Sequence, residues 1–106
     1  MTDRIRDDDE AVQASVVVFA PAGLHARPAI KLSRLAKQFG ARVSVRVDGA
    51  GEWVDAKSIV RLMALRVEGG KRLDFLARGE DADRAVAALS ALVGRNFDEP
   101  NEQATD

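Results

Sequence analysis

The chain has no cysteine and only one histidine, His25, in 106 residues. Disulfides, thiolate zinc sites and a cysteine nucleophile are therefore excluded, and so is a metal site built from clustered histidines. Neither sign of charge is in excess, since 16 Lys and Arg stand against 17 Asp and Glu for a net charge of −1. That balance gives no electrostatic reason to expect a nucleic acid partner. No apolar run approaches the ~20 residues that span a bilayer, so no membrane partner is expected. The opening residues lead into Asp7-Asp8-Asp9-Glu10, where a secretory signal would carry an apolar stretch. These absences leave a cytoplasmic protein of one domain, large enough for a single core and too small for two.

What is present reads as seven elements. Residues 1–13 are polar and acidic and are expected to be a flexible leader; 14–95 form the domain; 96–106 are expected to fray as a polar tail. Ala14 to Ala20 is rich in β-branched residues and reads as a strand, with Val16 and Val18 inward and Val17 and Phe19 on the other side. From Ala26 to Phe39 the positions Pro28, Ala29, Leu32, Leu35, Ala36 and Phe39 recur at helical spacing, and Gly40 supplies a left-handed stop. Val43, Val45 and Val47 alternate as a strand, Asp48-Gly49 is a hairpin signal, and a short strand through Glu52 to Val54 follows, with Trp53 packing on the hairpin. Lys57 to Leu65 reads as a short helix, and Leu73, Phe75 and Ala77 mark the inner face of a last strand. The final helix runs from about Ala82 to Val93 and buries Ala82, Ala85, Val86, Leu89, Leu92 and Val93. The order β-α-β-β-α-β-α implies an α+β architecture, with helices on one face of a mainly antiparallel sheet and a right-handed crossover between the first two strands.

The chemistry is concentrated in Gly23-Leu24-His25-Ala26-Arg27-Pro28-Ala29. Helix N-termini present unpaired N–H groups and partial positive charge, so an imidazole held there faces an anion site. Pro28 fits a first helical turn, where its missing N–H costs nothing, and Gly23 permits the bend that brings His25 over the helix end. Neutral imidazole attacks phosphorus readily near neutral pH. Arg27 can donate to phosphate oxygens from a planar fork, and the amides of Ala26 and Arg27 can add more donors. A phosphate carried on His25 itself fits this arrangement, and it calls for no cofactor or metal. A structural role is the competing account of each residue taken alone: a surface histidine, a solvated arginine, a helix-opening proline.

The run resembles the active-site signature of the histidine phosphocarrier protein (HPr) family of bacterial phosphotransferase systems. The likeness continues in Ala56-Lys57-Ser58-Ile59, similar to the family's regulatory-serine segment, and in Leu73 to Gly79, similar to its last strand and turn. It implies an HPr-like open-faced β-sandwich with a four-stranded sheet of order 1-4-2-3 and three helices on one face, an order that periodicity did not supply. It further implies that Enzyme I phosphorylates His25 at Nδ1, that an Enzyme II A domain or a related regulatory acceptor receives the phosphoryl group, and that the chain is a stoichiometric carrier and not an enzyme. The nitrogen-regulatory NPr branch is a close variant, and Asn96-Phe97-Asp98-Glu99 is similar to its tail.

The same resemblance implies that Ser58 is a target for an HPr serine kinase/phosphatase in some bacteria, although an N-cap alone would explain a serine there. Of the apolar residues on the second helix, Leu62 and Leu65 are the expected core. Ile59, Val60 and Met63 then form an exposed patch for partners. Two positions depart from the family pattern: Ala22, where many relatives carry a polar side chain, and Arg66, where they commonly carry glycine. Left-handed backbone would be costly for arginine, so the helix is expected to end differently, at Gly69-Gly70. Two rival functions remain: a regulatory module of the same fold that binds through Ile59, Val60 and Met63 without phosphotransfer, and a histidine phosphatase, which would need a second catalytic histidine.

Overall fold

The computed structural model describes residues 11–98. The leader and tail expected at the two ends therefore lie mostly outside the described residues. The elements are β1 (Val12–Val17), α1 (Ala26–Ala36), β2 (Arg42–Val47), β3 (Ala50–Asp55), α2 (Ile59–Ala64), β4 (Arg72–Arg78) and α3 (Ala82–Gly94). They build one four-stranded antiparallel sheet of order β1-β4-β2-β3. Because β4 is antiparallel to both β1 and β2, those two strands run parallel with β4 between them. Helix α1 connects them, and α2 connects β3 to β4 in the same way across β2.

Register follows from which side chains must be covered. Leu73, Phe75 and Ala77 of β4 pair with Val16, Ala14 and Val12 of β1 and with Val47, Val45 and Val43 of β2, so all nine share the face beneath the helices. Val43, Val45, Leu73, Phe75 and Ala77 are buried there, against Leu32 of α1, Leu62 of α2 and Leu89, Leu92 and Val93 of α3. The six residues expected to be buried in α3 are its buried residues. Asp48 (φ 50) and Gly49 (φ 70) both turn left-handed, the requirement of a two-residue hairpin turn of type I′. Beyond that turn, Val47 pairs with Ala50 but Val45 with Val54, so the pairing register shifts through the irregular stretch. There Arg46 lies 4.3 Å over the ring of Trp53, which thus packs on the hairpin as expected.

Several sequence expectations fail for tertiary reasons. Helix α1 stops at Ala36, and Leu35 and Phe39 are only half-buried; Gly40 is absent from the left-handed residues, so the turn after Lys37 closes with ordinary backbone. Ser33, on the buried side, is held by donating its hydroxyl to the Lys57 carbonyl at 2.8 Å, which ties α1 to the entry of α2. Strand β1 begins at Val12, inside the expected leader. At the other end Gly94 stays helical and Asn96 (φ 61) makes the turn, with Asn96 N–H donating to Val93 O and Phe97 N–H to Leu92 O. This double bond pattern is a Schellman stop, and it buries Phe97, a residue expected to fray.

The outer sheet face holds Asp74, which strand alternation places toward solvent but which is only 7% exposed. Burial pushes its carboxyl upward, yet hydrogen bonds from Ser15 Oγ (2.6 Å), Arg72 Nε (3.0 Å) and the Gly49 backbone, with the charge of Arg72, outweigh burial and hold it below the ordinary carboxylate range. Arg46 Nε approaches Asp74 Oδ2 only to 3.8 Å.

Candidate functional site

The chain leaves β1 and turns back through Ala20 to Gly23, where the Gly23 N–H donates to the Ala20 carbonyl at 2.8 Å. Pro21 and the exposed Ala22 form the corner of this turn. Gly23 has φ +73, and a Cβ at this position would collide with the Val67 carbonyl oxygen, so conformation and space both demand glycine. The next amide, of buried Leu24, donates to that same carbonyl at 2.9 Å. His25 follows as the N-cap of α1, with extended backbone at φ −98, ψ −163. The main chain before the imidazole is thus pinned on both sides, while the His25 side chain itself is exposed.

The first turn of α1 is open. Its earliest internal bond runs from the Ala29 N–H to the His25 carbonyl at 3.0 Å, leaving the Ala26 and Arg27 amides ahead of it, and Pro28 brings no N–H. No side chain caps these donors, and the turn contains no acidic residue. Pro28 and Ala29 are buried and anchor the turn, whereas Arg27 is exposed. Neither the His25 ring nor the Arg27 guanidinium makes a hydrogen bond or ion pair among the described residues. An exposed nucleophilic imidazole, two adjacent amide donors, the positive end of a helix and an uncommitted guanidinium can together hold a dianionic group.

The start of α2 contrasts with this. Ser58 is its N-cap, and the Ser58 hydroxyl accepts the Arg61 N–H at 3.2 Å. Leu62 is fully buried, Leu65 is half-buried against the core, and Val60 (78%) and Met63 (42%) are exposed. Ile59 packs half-buried against the core, so it contributes only in part to that surface. The expectation that α2 would avoid a left-handed arginine is wrong: the helix stops at Ala64 and Arg66 itself adopts φ 52. Its reversal is forced early because Val67 must be buried and must offer its carbonyl to Leu24. A left-handed L-residue costs about 1–2 kcal/mol.

Whole-chain charge balance hid one further feature. From Ala11 to Val47, and again from Lys57 to Val67, the sequence contains no Asp or Glu. Both helices beside His25 therefore carry positive charge only. Of these cations, Lys31 and Lys57 are engaged through Nζ with the Phe97 and Phe39 carbonyls, each at 2.9 Å. Counting charge element by element, and not over the whole chain, reveals this segregation. Among the described residues there is no cluster of metal-ligating side chains, and no helix is long and apolar enough to cross a membrane.

A family model described as the PTS HPr component phosphorylation site matches residues 12–95. The phosphocarrier protein NPr of Shewanella violacea is 39% identical over 88 residues, covering 83% of this chain and 94% of that protein. A multiphosphoryl transfer protein of Salmonella typhimurium is 37% identical over 92 residues, or 86% of this chain but only 24% of the relative, so the chain spans about a quarter of that protein. The crystal structure of HPr-C-His from Thermoanaerobacter tengcongensis superposes with a TM-score of 0.76 at 33% identity, covering 83% of this chain and 97% of the other. Sheet order, the phosphorylation-site match and these likenesses agree, and the chain belongs to the HPr family of phosphotransferase-system phosphocarriers.

Proposed function

We propose that His25 accepts a phosphoryl group from Enzyme I and hands it to an Enzyme II A domain or a related regulatory acceptor, in the cytoplasm, as a stoichiometric carrier and not as a catalyst with its own turnover. The observation that carries this reading is the exposed imidazole, without a partner among the described residues, at the uncapped start of α1. The lone pair of a ring nitrogen, Nδ1 by likeness to the family, attacks the phosphorus of the donor's phosphohistidine. The new N–P bond forms as the donor's N–P bond breaks, and the donor imidazole leaves with that electron pair. Arg27 and the Ala26 and Arg27 amides meet the phosphoryl oxygens, so the protein contributes position and charge and little covalent chemistry. Handover to the acceptor repeats the exchange with His25 as leaving group.

Val60 and Met63, with Ile59 at the edge, give both partners an apolar surface beside the site. Ser58 is proposed as a regulatory position: a phosphate placed there by an HPr serine kinase/phosphatase would add about two negative charges to a face whose helices are otherwise cationic. Incubation with Enzyme I and labelled phosphoenolpyruvate tests the central reading. An acid-labile label on the wild type, lost in His25→Ala and kept in Ser58→Ala, is the expected outcome. A chain that binds Enzyme I but stays unlabelled would match a binding module acting through Ile59, Val60 and Met63.

A further inference from the structure

We propose that Arg66 is a specificity-determining contact, whose guanidinium meets carboxylates on an acidic surface of the protein that docks over His25. The proposal rests on the phosphocarrier reading and adds to it the sign of the partner's surface at one defined point. The first support is a backbone cost that no hydrogen bond or ion pair of the Arg66 side chain offsets among the described residues. Asp48, Asp81 and Asn96 are also left-handed, but Asp and Asn enter that region readily; Phe97 is left-handed and is compensated by burial. Arg66 is neither kind of residue. Its side chain is exposed and makes no ion pair or hydrogen bond among the described residues, and glycine would take the same backbone freely. A side chain in that state is free to act on something outside the molecule.

The second support is place. Arg66 immediately precedes Val67, whose carbonyl accepts the Leu24 N–H at 2.9 Å and lies against Gly23, and Leu24 immediately precedes His25. Arg66 therefore stands at the edge of the imidazole loop, at the end of the helix that exposes Val60 and Met63. The third support is sign. Arg27, Arg61 and Arg66 are all exposed, and the segments that carry them hold no acidic residue; Glu68, the first acid after α2, is exposed and forms no ion pair with Arg66. Like charges left unneutralised in the segments around the site favour a complementary acidic surface and repel a basic one.

Arg66→Gly, Arg66→Lys and Arg66→Glu separate charge from backbone. Initial rates of His25 phosphorylation by Enzyme I are measured against carrier concentration at low and high salt, together with Tm and the lifetime of the isolated phosphohistidine. Arg66→Gly should raise Tm by about 2–5 °C while raising KM about two- to fivefold at low salt with kcat unchanged. That gap should close at high salt, where screening shortens the reach of charges. Arg66→Lys should retain most of the affinity, and Arg66→Glu should be the worst of the three. An unchanged KM in Arg66→Gly at low salt overturns the proposal. So does a loss confined to the lifetime of the isolated phosphohistidine, which would make Arg66 a ligand of the phosphate instead. A labelled wild type with indifferent variants sinks this inference alone, whereas a wild type that never takes label sinks the phosphocarrier reading with it.

Discussion

Two ionisable side chains with arginine neighbours sit in this small domain, and the fold treats them in opposite ways. Asp74, on the outer sheet face, is enclosed: Ser15 and Arg72 donate to it, Arg46 lies alongside, and its carboxyl is held below the usual range against the pull of burial. His25, at the start of α1, is presented with an exposed ring and no partner among the described residues, and Arg27 is equally uncommitted among them. Polar partners surround the charge that is structural, and none is placed at the ring where the proposed function has a charge arrive and leave. The comparison extends to the two helix starts, because the hydroxyl of Ser58 is already used on the Arg61 amide while the start of α1 has no side-chain cap hydrogen bond.

The comparison can be broken by exchanging what each residue loses. His25→Ala should abolish phosphorylation completely while changing unfolding free energy by no more than about 0.5 kcal/mol, the usual effect of an exposed substitution. Chemical denaturation of the same sample checks the second half. Gly23→Ala should damage both properties, since a methyl group must displace the Val67 carbonyl that also holds Leu24; a stability loss of about 1–3 kcal/mol, with slowed phosphorylation, is expected.

Asp74→Asn should show the reverse pattern to His25→Ala, costing about 1–3 kcal/mol of stability and leaving phosphorylation intact. Its pH dependence sharpens the point. A carboxyl held lower in the folded than in the unfolded state stabilises the fold above its unfolded pKa, and that contribution disappears as pH falls through the folded value. Wild-type stability should therefore drop more steeply than that of Asp74→Asn on acidification, and Tm against pH for the two proteins would reveal equal slopes if Asp74 were not engaged. Ser58→Ala is the mildest change. Loss of one N-cap bond should cost about 0.5–2 kcal/mol with His25 phosphorylation retained.

Most of the element order was legible because it depends on local patterns. The alternation of Val43, Val45 and Val47 and the helical spacing of Ala82 to Val93 each reflect one face packed on the core, and the Asp48-Gly49 turn reflects two residues that accept left-handed backbone. Sheet order was not legible from periodicity; it came from the resemblance to the family, since interleaving β4 between β1 and β2 is a long-range choice. What escaped reading depends on contacts distant in sequence. Asp74 alternates like a solvent-facing residue until Ser15, 59 positions away, closes over it. Phe97 looks like part of a fraying tail until Asn96 turns it back onto the core. Arg66 was expected to shun the left-handed region, but burying Val67 and bonding it to Leu24 overrides the local preference. Residue types alone mark the motif around His25; that its first helical turn is uncapped and its ring without a partner among the described residues is a property of the folded chain.

The central claim is that an exposed imidazole at an open helix end is loaded and unloaded reversibly. Intact-protein mass, followed while Enzyme I and phosphoenolpyruvate are supplied and then while an Enzyme II A domain is added, tests it most directly. One phosphoryl mass should appear on the wild type and disappear with the acceptor, and none should appear on His25→Ala. A phosphoryl mass gained by His25→Ala, or one on the wild type that no acceptor removes, would contradict it.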